Sequence, residues 1–143
     1  MKTYVLIIAK NFSKKHPRAG QPTNFYQKIL DQEKLHTIRN NYPLWKKRID
    51  EVNAGEAGLS VREWSGVPYN SKQVELFELQ KEEVSIQKLE ESMLDFTIDN
   101  IPTKITYKTL SKNDGLSSDD FLCWFFSSST EPMAIIHFTS FKY

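Results

Sequence analysis

The sequence holds one cysteine, Cys123, in 143 residues, so no internal disulfide can form and a disulfide-stapled scaffold is excluded. Its three histidines, His16, His36 and His137, are scattered and offer no pair at metal-ligand spacing, so no metal and no other cofactor is expected. Glycine and proline are scarce, at 5 and 6 residues, while 39% of the chain is hydrophobic and 13% aromatic; a collagenous, low-complexity or broadly disordered chain is thereby ruled out. Long apolar runs are missing too. The stretch 4–9 is far shorter than a membrane span, and basic residues follow it instead of a small-residue cleavage site. A cytoplasmic protein with no membrane partner is expected, and the length fits one domain, 1–143, around a single core.

What the chain does have is a lopsided charge distribution behind a net charge of +1. Residues 1–50 carry eleven Lys or Arg against three acids, and residues 51–143 carry eight against fifteen. The first segment therefore stands at +8 and the second at −7. Such a field suits an anionic partner, although a solvated basic face balancing an acidic one gives the same numbers.

Local patterns supply the elements. Residues 1–9 form a nearly continuous β-branched and aromatic run, the signature of a strand buried on both faces and lying inside a sheet. The polar, basic stretch 10–20, punctuated by Pro17 and Gly20, predicts a loop presenting Lys14, Lys15 and Arg18. Thr23 is placed to cap a short helix through about Asp31, with Phe25, Ile29 and Leu30 at helical intervals. Asn41 or Tyr42 would cap a second helix, with Pro43 in its first turn and Leu44, Trp45, Ile49 and Val52 as its inner stripe.

Beyond Gly55 the spacing predicts strands: 57–64 and 72–79 as a hairpin around a 65–69 turn, weaker candidates at 84–89 and 94–98, then 101–110 and 133–143. A third helix, capped by Ser117 or Ser118, carries Asp119 and Asp120 in its first turn, where the helix dipole favours acids. Its Phe121, Leu122, Trp124 and Phe125 would pack inward, leaving Cys123 an inert small hydrophobe. Strands clustered after residue 57 with about three short helices predict an α+β domain built on a curved sheet or small barrel. No Gly-rich turn follows the first strand, which disfavours a doubly wound parallel sheet.

The densest polar cluster lies between the first two helices, in the basic third of the chain, as Glu33-Lys34-Leu35-His36-Thr37-Ile38-Arg39-Asn40. If 35–39 is extended, Thr37 and Arg39 share one face and His36 and Ile38 the other. A hydroxyl beside a guanidinium is a donor set for a phosphate or base carbonyl, and Lys34 adds a cation. The same residues also make a basic surface segment, and His36 reads as a packed, satisfied histidine. In the hairpin, Arg62, Trp64 and Tyr69 offer a planar cation and two rings for a base to stack on. Trp64 fits a core position at a strand end as well, whereas Trp45 and Trp124 sit on apolar helix faces and read as core.

The run ILDQEKLHTIRN, the following helix with Trp45, the segment AGEAGLSVREWSGVPYNS and the later NDGLSSDDFLCWF together resemble an ASCH domain, a family of the PUA-like superfamily of small β-barrels. The likeness runs from about Phe25 to the last strand and rests on the order of these segments. It implies a PUA-like pseudo-barrel with a cleft beside the Lys-x-x-Thr-x-Arg segment and an RNA, nucleoside or nucleotide partner. In some bacterial members it implies an amidohydrolase acting on 4-acetylcytidine. In those enzymes a lysine, a threonine three residues later and a distal glutamate form the proposed catalytic set; Lys34 and Thr37 match the first two, and Asp114 stands where the glutamate is expected. Gln32 and Glu33 replace a family glycine, and Leu35 replaces an enzyme threonine. The expectation is an RNA- or modified-nucleoside-binding domain using Lys14, Lys15, Arg18, Arg39, Arg62, Trp64 and Tyr69. The alternative is a deacetylase using Lys34, Thr37 and Asp114, and a protein-interaction module comes last.

Overall fold

Among residues 1–92, 95–125 and 131–143, which the computed structural model describes, these local signals resolve into eight strands and four helices. The apolar opening run forms β1 (Lys2–Ile7), which pairs in parallel with β3 (Ala57–Trp64). β3 in turn forms an antiparallel hairpin with β4 (Gln73–Leu79), so the first sheet has the order β1-β3-β4. The strand expected inside a sheet is thus an edge strand ending at Ile7; the Arg39 guanidinium donates to the Ile7 carbonyl and covers part of that edge. The register shifts between Val61 and Arg62, a bulge that bends the hairpin as it leaves the core.

The second sheet is antiparallel throughout. It contains β2 (His36–Arg39), β5 (Ser85–Ser92), β6 (Asp95–Ile98), β7 (Ile101–Thr103) and β8 (Met133–His137), in the order β2-β8-β5-β6-β7. The described residues therefore form two open sheets and not a closed barrel, since no ladder joins the edges of one to the other. The α+β class holds, and the barrel closure expected from the resemblance is not seen among the described residues.

Helix α1 (Phe25–Leu30) starts from Asn24, which adopts a left-handed conformation without a side-chain cap. Thr23 does other work: its buried hydroxyl donates to the Ala9 carbonyl at 2.7 Å and accepts from Phe25 N at 3.3 Å, tying the basic loop to the helix start. In α2 (Tyr42–Asn53) the Asn41 side chain accepts from Leu44 N, and Trp45, Ile49 and Val52 are buried against β3, β5 and β8. Leu44 is exposed, because the i, i+4, i+7 stripe begins one residue later.

The expected strand 101–110 is only three residues long. The Thr106 hydroxyl accepts from Thr109 N and starts a fourth helix, α3 (Tyr107–Asn113); a Thr-rich stretch suits a strand until one of its hydroxyls becomes an N-cap. In α4 (Ser118–Phe125) the Ser117 hydroxyl accepts from Asp120 N, Phe121 is buried and Trp124 half-buried, while Cys123 is exposed instead of packed. Cys123 lies two residues from Phe121, on the opposite side of the helix from the 121/124 stripe. Leu94 of the expected strand 94–98, and the Phe125 side chain, lie outside the described residues. The last strand stops at His137, and the six residues after it turn back across the sheet. No helix among the described residues is long and apolar enough to cross a membrane.

Candidate functional site

Lys34 enters the site between two helix ends. Its backbone N–H donates to the Lys28 carbonyl of α1, Leu35 N–H donates to the Asn113 carbonyl of α3, and Lys34 and Asp114 form an isolated antiparallel bridge. The lysine is 1% exposed. Its Nζ donates to the Asp114 carbonyl at 2.8 Å and to Asp114 Oδ1 at 3.2 Å, and lies 4.1 Å from the centre of the Phe25 ring. Burial pushes its pKa down to about 8; the Asp114 carboxylate opposes that shift and the Arg39 charge adds to it. Gly115 makes the approach possible: at φ +78°, an added Cβ would sit 3.0 Å from Lys34 Cβ.

Asp114 ends α3 and is buried, and its Oδ1 receives a second contact from His36 Nδ1 at 3.2 Å. His36 is itself fully buried, with Nε2 2.6 Å from the Tyr143 hydroxyl, which also accepts from Asn113 Nδ2 at 3.0 Å. Burial lowers the His36 pKa, against the pull of Asp114. Tyr143 is pinned by its backbone as well, through bonds to both ends of the Gln87 amide, and Gln87 Oε1 also accepts from His137 Nε2. His36 and His137 are cross-strand partners on one face, which the C-terminal turn covers.

Thr37 and Arg39 project together, as alternation requires. Arg39 Nη1 donates to Thr37 Oγ1 at 2.7 Å and to the Ile38 carbonyl, and Nη2 donates to the Ile7 carbonyl at 2.5 Å. The guanidinium expected to meet a ligand is thus occupied by protein acceptors and braces β2 against β1. Thr37 is 3% exposed, and among the described residues no hydrogen bond joins it to Lys34 or Asp114.

The remaining candidates separate into two kinds. Arg18, expected at a phosphate, donates to Asp120 Oδ2 at 2.7 Å and stacks over Phe12, since its loop folds against α4. In the same place His16 is buried beside Asp120 and packs with Phe12 and Trp124. Lys14 and Lys15 are exposed. Arg62 donates to Ser60 Oγ and Gln73 Oε1 near the turn end of the hairpin. Trp64 is half-buried, outside the core, with its ring centre 5.2 Å from that of Tyr69, which is 86% exposed. Trp45 is in the core and Trp124 packs against it, as their apolar faces indicated.

Sequence reasoning missed Tyr143, Asn113 and Gln87 as members of the polar cluster, and Phe25 as the ring beneath Lys34. The partners of the first three lie far along the chain, and no spacing marks them. A cavity of about 700 Å³ along α2, lined among others by Tyr42, Lys46, Asp50 and Glu56, includes none of the site residues. Among the described residues no group of three or more His, Cys, Asp or Glu is arranged to hold a metal ion. No family model, curated protein or solved structure matches the chain.

Proposed function

We propose that this protein is an ASCH-type, PUA-like domain that binds single-stranded RNA or a modified nucleoside at the C-terminal end of β1. The observation that carries this reading is the parallel pairing of β1 with β3. Parallel strands bring their C-terminal ends to one edge, so the basic loop after Ile7 and the aromatic hairpin after Trp64 start side by side. Arg39 is bonded to the Ile7 carbonyl and Ile8 N–H to the Arg62 carbonyl, which draws the Lys34-Arg39 segment to the same place. The half-buried Trp64 and the exposed Tyr69 supply ring faces, and Lys14 and Lys15 supply charge.

Stacking contributes about 1–3 kcal/mol per base, so Trp64→Ala or Tyr69→Ala is expected to weaken binding of a short single-stranded RNA by roughly 5- to 150-fold in a fluorescence titration. With two phosphates neutralised by Lys14 and Lys15, log K should fall against log salt with a slope of about −1.4. Equal affinity in the aromatic variants, or binding indifferent to salt, would reject this interface.

One observation favours a second reading, an amidohydrolase acting on 4-acetylcytidine: a buried lysine held 3.2 Å from a carboxylate, with its pKa brought down to about 8. In this reading Thr37 Oγ attacks the acetyl carbonyl, Lys34 takes the hydroxyl proton, Asp114 passes it to the leaving amine, and water then frees acetate from the threonine ester. Both Lys34 and Thr37 are buried, so the reaction requires the segment over them to open. Incubation with 4-acetylcytidine, followed by chromatography, is expected to release cytidine with the wild type and none with Lys34→Ala. Equal release by both proteins would remove the mechanism.

A further inference from the structure

We propose that His36 is a positioning residue: as the neutral Nδ1–H tautomer it holds the Asp114 carboxylate in place against Lys34, and the Tyr143 hydroxyl fixes that tautomer from the other side of the ring. The direction of each hydrogen bond fixes the tautomer. Asn113 Nδ2 can only donate, so the Tyr143 oxygen accepts from it. The phenol proton then points to its other neighbour, His36 Nε2, at 2.6 Å. An imidazole nitrogen that accepts from a phenol carries no proton, which places the ring proton on Nδ1. Nδ1 lies 3.2 Å from Asp114 Oδ1, an acceptor, and the same Oδ1 accepts from Lys34 Nζ at 3.2 Å. A single chain of donors results, from Asn113 through Tyr143 and His36 to Asp114, with every polar ring atom of His36 used.

The other groups around the ring agree with a neutral His36. Burial and the nearby Lys34 charge disfavour its cation, which outweighs the attraction of Asp114. His137, 5.5 Å away ring to ring, is bonded to Gln87 through Nε2 and makes no bond to His36. A carboxylate with one oxygen held by His36 keeps its orientation while Lys34 changes protonation. A carboxylate held by the lysine alone would follow it. The positioning role concerns the free protein; its bearing on chemistry rests on the amidohydrolase reading of Lys34 and Asp114.

The test is two-bond ¹H–¹⁵N correlation on the ¹⁵N-histidine-labelled full chain at neutral pH, with His36 assigned by His36→Asn. Nε2 is expected at the shift of an unprotonated nitrogen and Nδ1 at that of a protonated one; the Nε2–H tautomer, or protons on both nitrogens, overturns the proposal. In parallel, the Lys34 ¹⁵Nζ signal is titrated in variants. Asn places its amide nitrogen where Nδ1 stood, so His36→Asn should titrate as the wild type does. His36→Gln places it where Nε2 stood, frees the carboxylate and should move the Lys34 pKa by about one unit. Identical titration in His36→Gln and wild type also overturns the proposal, and if that variant does not fold the wild-type tautomer decides. An Nδ1–H tautomer in a protein without turnover on 4-acetylcytidine removes the amidohydrolase reading and leaves the positioning role standing.

Discussion

Replacing Asp114 with alanine is expected to cost about 3–5 kcal/mol of folding stability at pH 7, because it strands the charged amine of Lys34 in a site that water does not reach. The lysine is 1% exposed, and without the carboxylate its Nζ keeps only the residue-114 carbonyl and the face of Phe25. His36 Nδ1 loses its acceptor in the same step. Taking the lysine away as well should recover much of the loss. Breaking a buried pair leaves an uncompensated charge, whereas replacing both partners with apolar groups of similar size is often neutral. Urea unfolding of Asp114→Ala and of the double variant Lys34→Met/Asp114→Ala measures both quantities. A double variant no more stable than the single one would show that the cost lies outside the ion pair, in the acceptor lost to His36.

The second large effect is a loss of stability in acid from buried, neutral histidines. Burial pushes the His137 pKa down to about 3, with His36 and Lys142 adding to the shift, and burial lowers His36 in the same direction. An unfolded histidine takes up a proton near pH 6.5, while in the folded state His137 stays neutral until about pH 3. The unfolded chain therefore binds more protons throughout that window. Stability present above pH 6.5 is lost as pH falls from 6.5 to 3, by up to about 4–5 kcal/mol for His137 at 1.36 kcal/mol per pH unit. Lys34 acts at the other end, since its folded pKa of about 8 lies below its unfolded value of 10.5. Between those values the unfolded chain again holds the extra proton, so stability should rise with pH there. Unfolding free energies from pH 4 to 10 should show both limbs. His137→Gln, which keeps a donor toward Gln87, should flatten the acid limb by about 1.36 kcal/mol per pH unit. An unchanged acid slope in that variant would assign the loss to other groups.

Elements with local signals were legible from the sequence. Asn41 capping α2, Pro43 in its first turn and the 45/49/52 stripe are all encoded within a dozen residues, and the structure has them in place. The 57–64 and 73–79 hairpin reads equally well, because alternation and a turn are short-range properties. Where the local signal was ambiguous, the reading failed. Thr106 is a strand former by propensity and an N-cap by position, and only the downstream Thr109 N–H decides between them. Residues 138–143 are aromatic enough to continue β8, yet Tyr143 leaves the ladder to bond with His36 and Gln87.

The site divides along the same line. By itself the sequence determined the α+β class, the excess of cations in the first third, and the alternation that sets Thr37 beside Arg39, since each follows from composition or a two-residue period. Tertiary structure alone decided that Arg18 meets Asp120, that Arg39 is spent on β1, and that Lys34, His36, Asp114 and Tyr143 form one buried network. Those contacts join residues 32 to 107 positions apart. Closing such loops carries an entropy cost that varies only slowly with length, so no spacing in the sequence is favoured strongly enough to announce the pairing. It emerges when the two sheets and the helix ends pack and leave buried polar groups that must find one another.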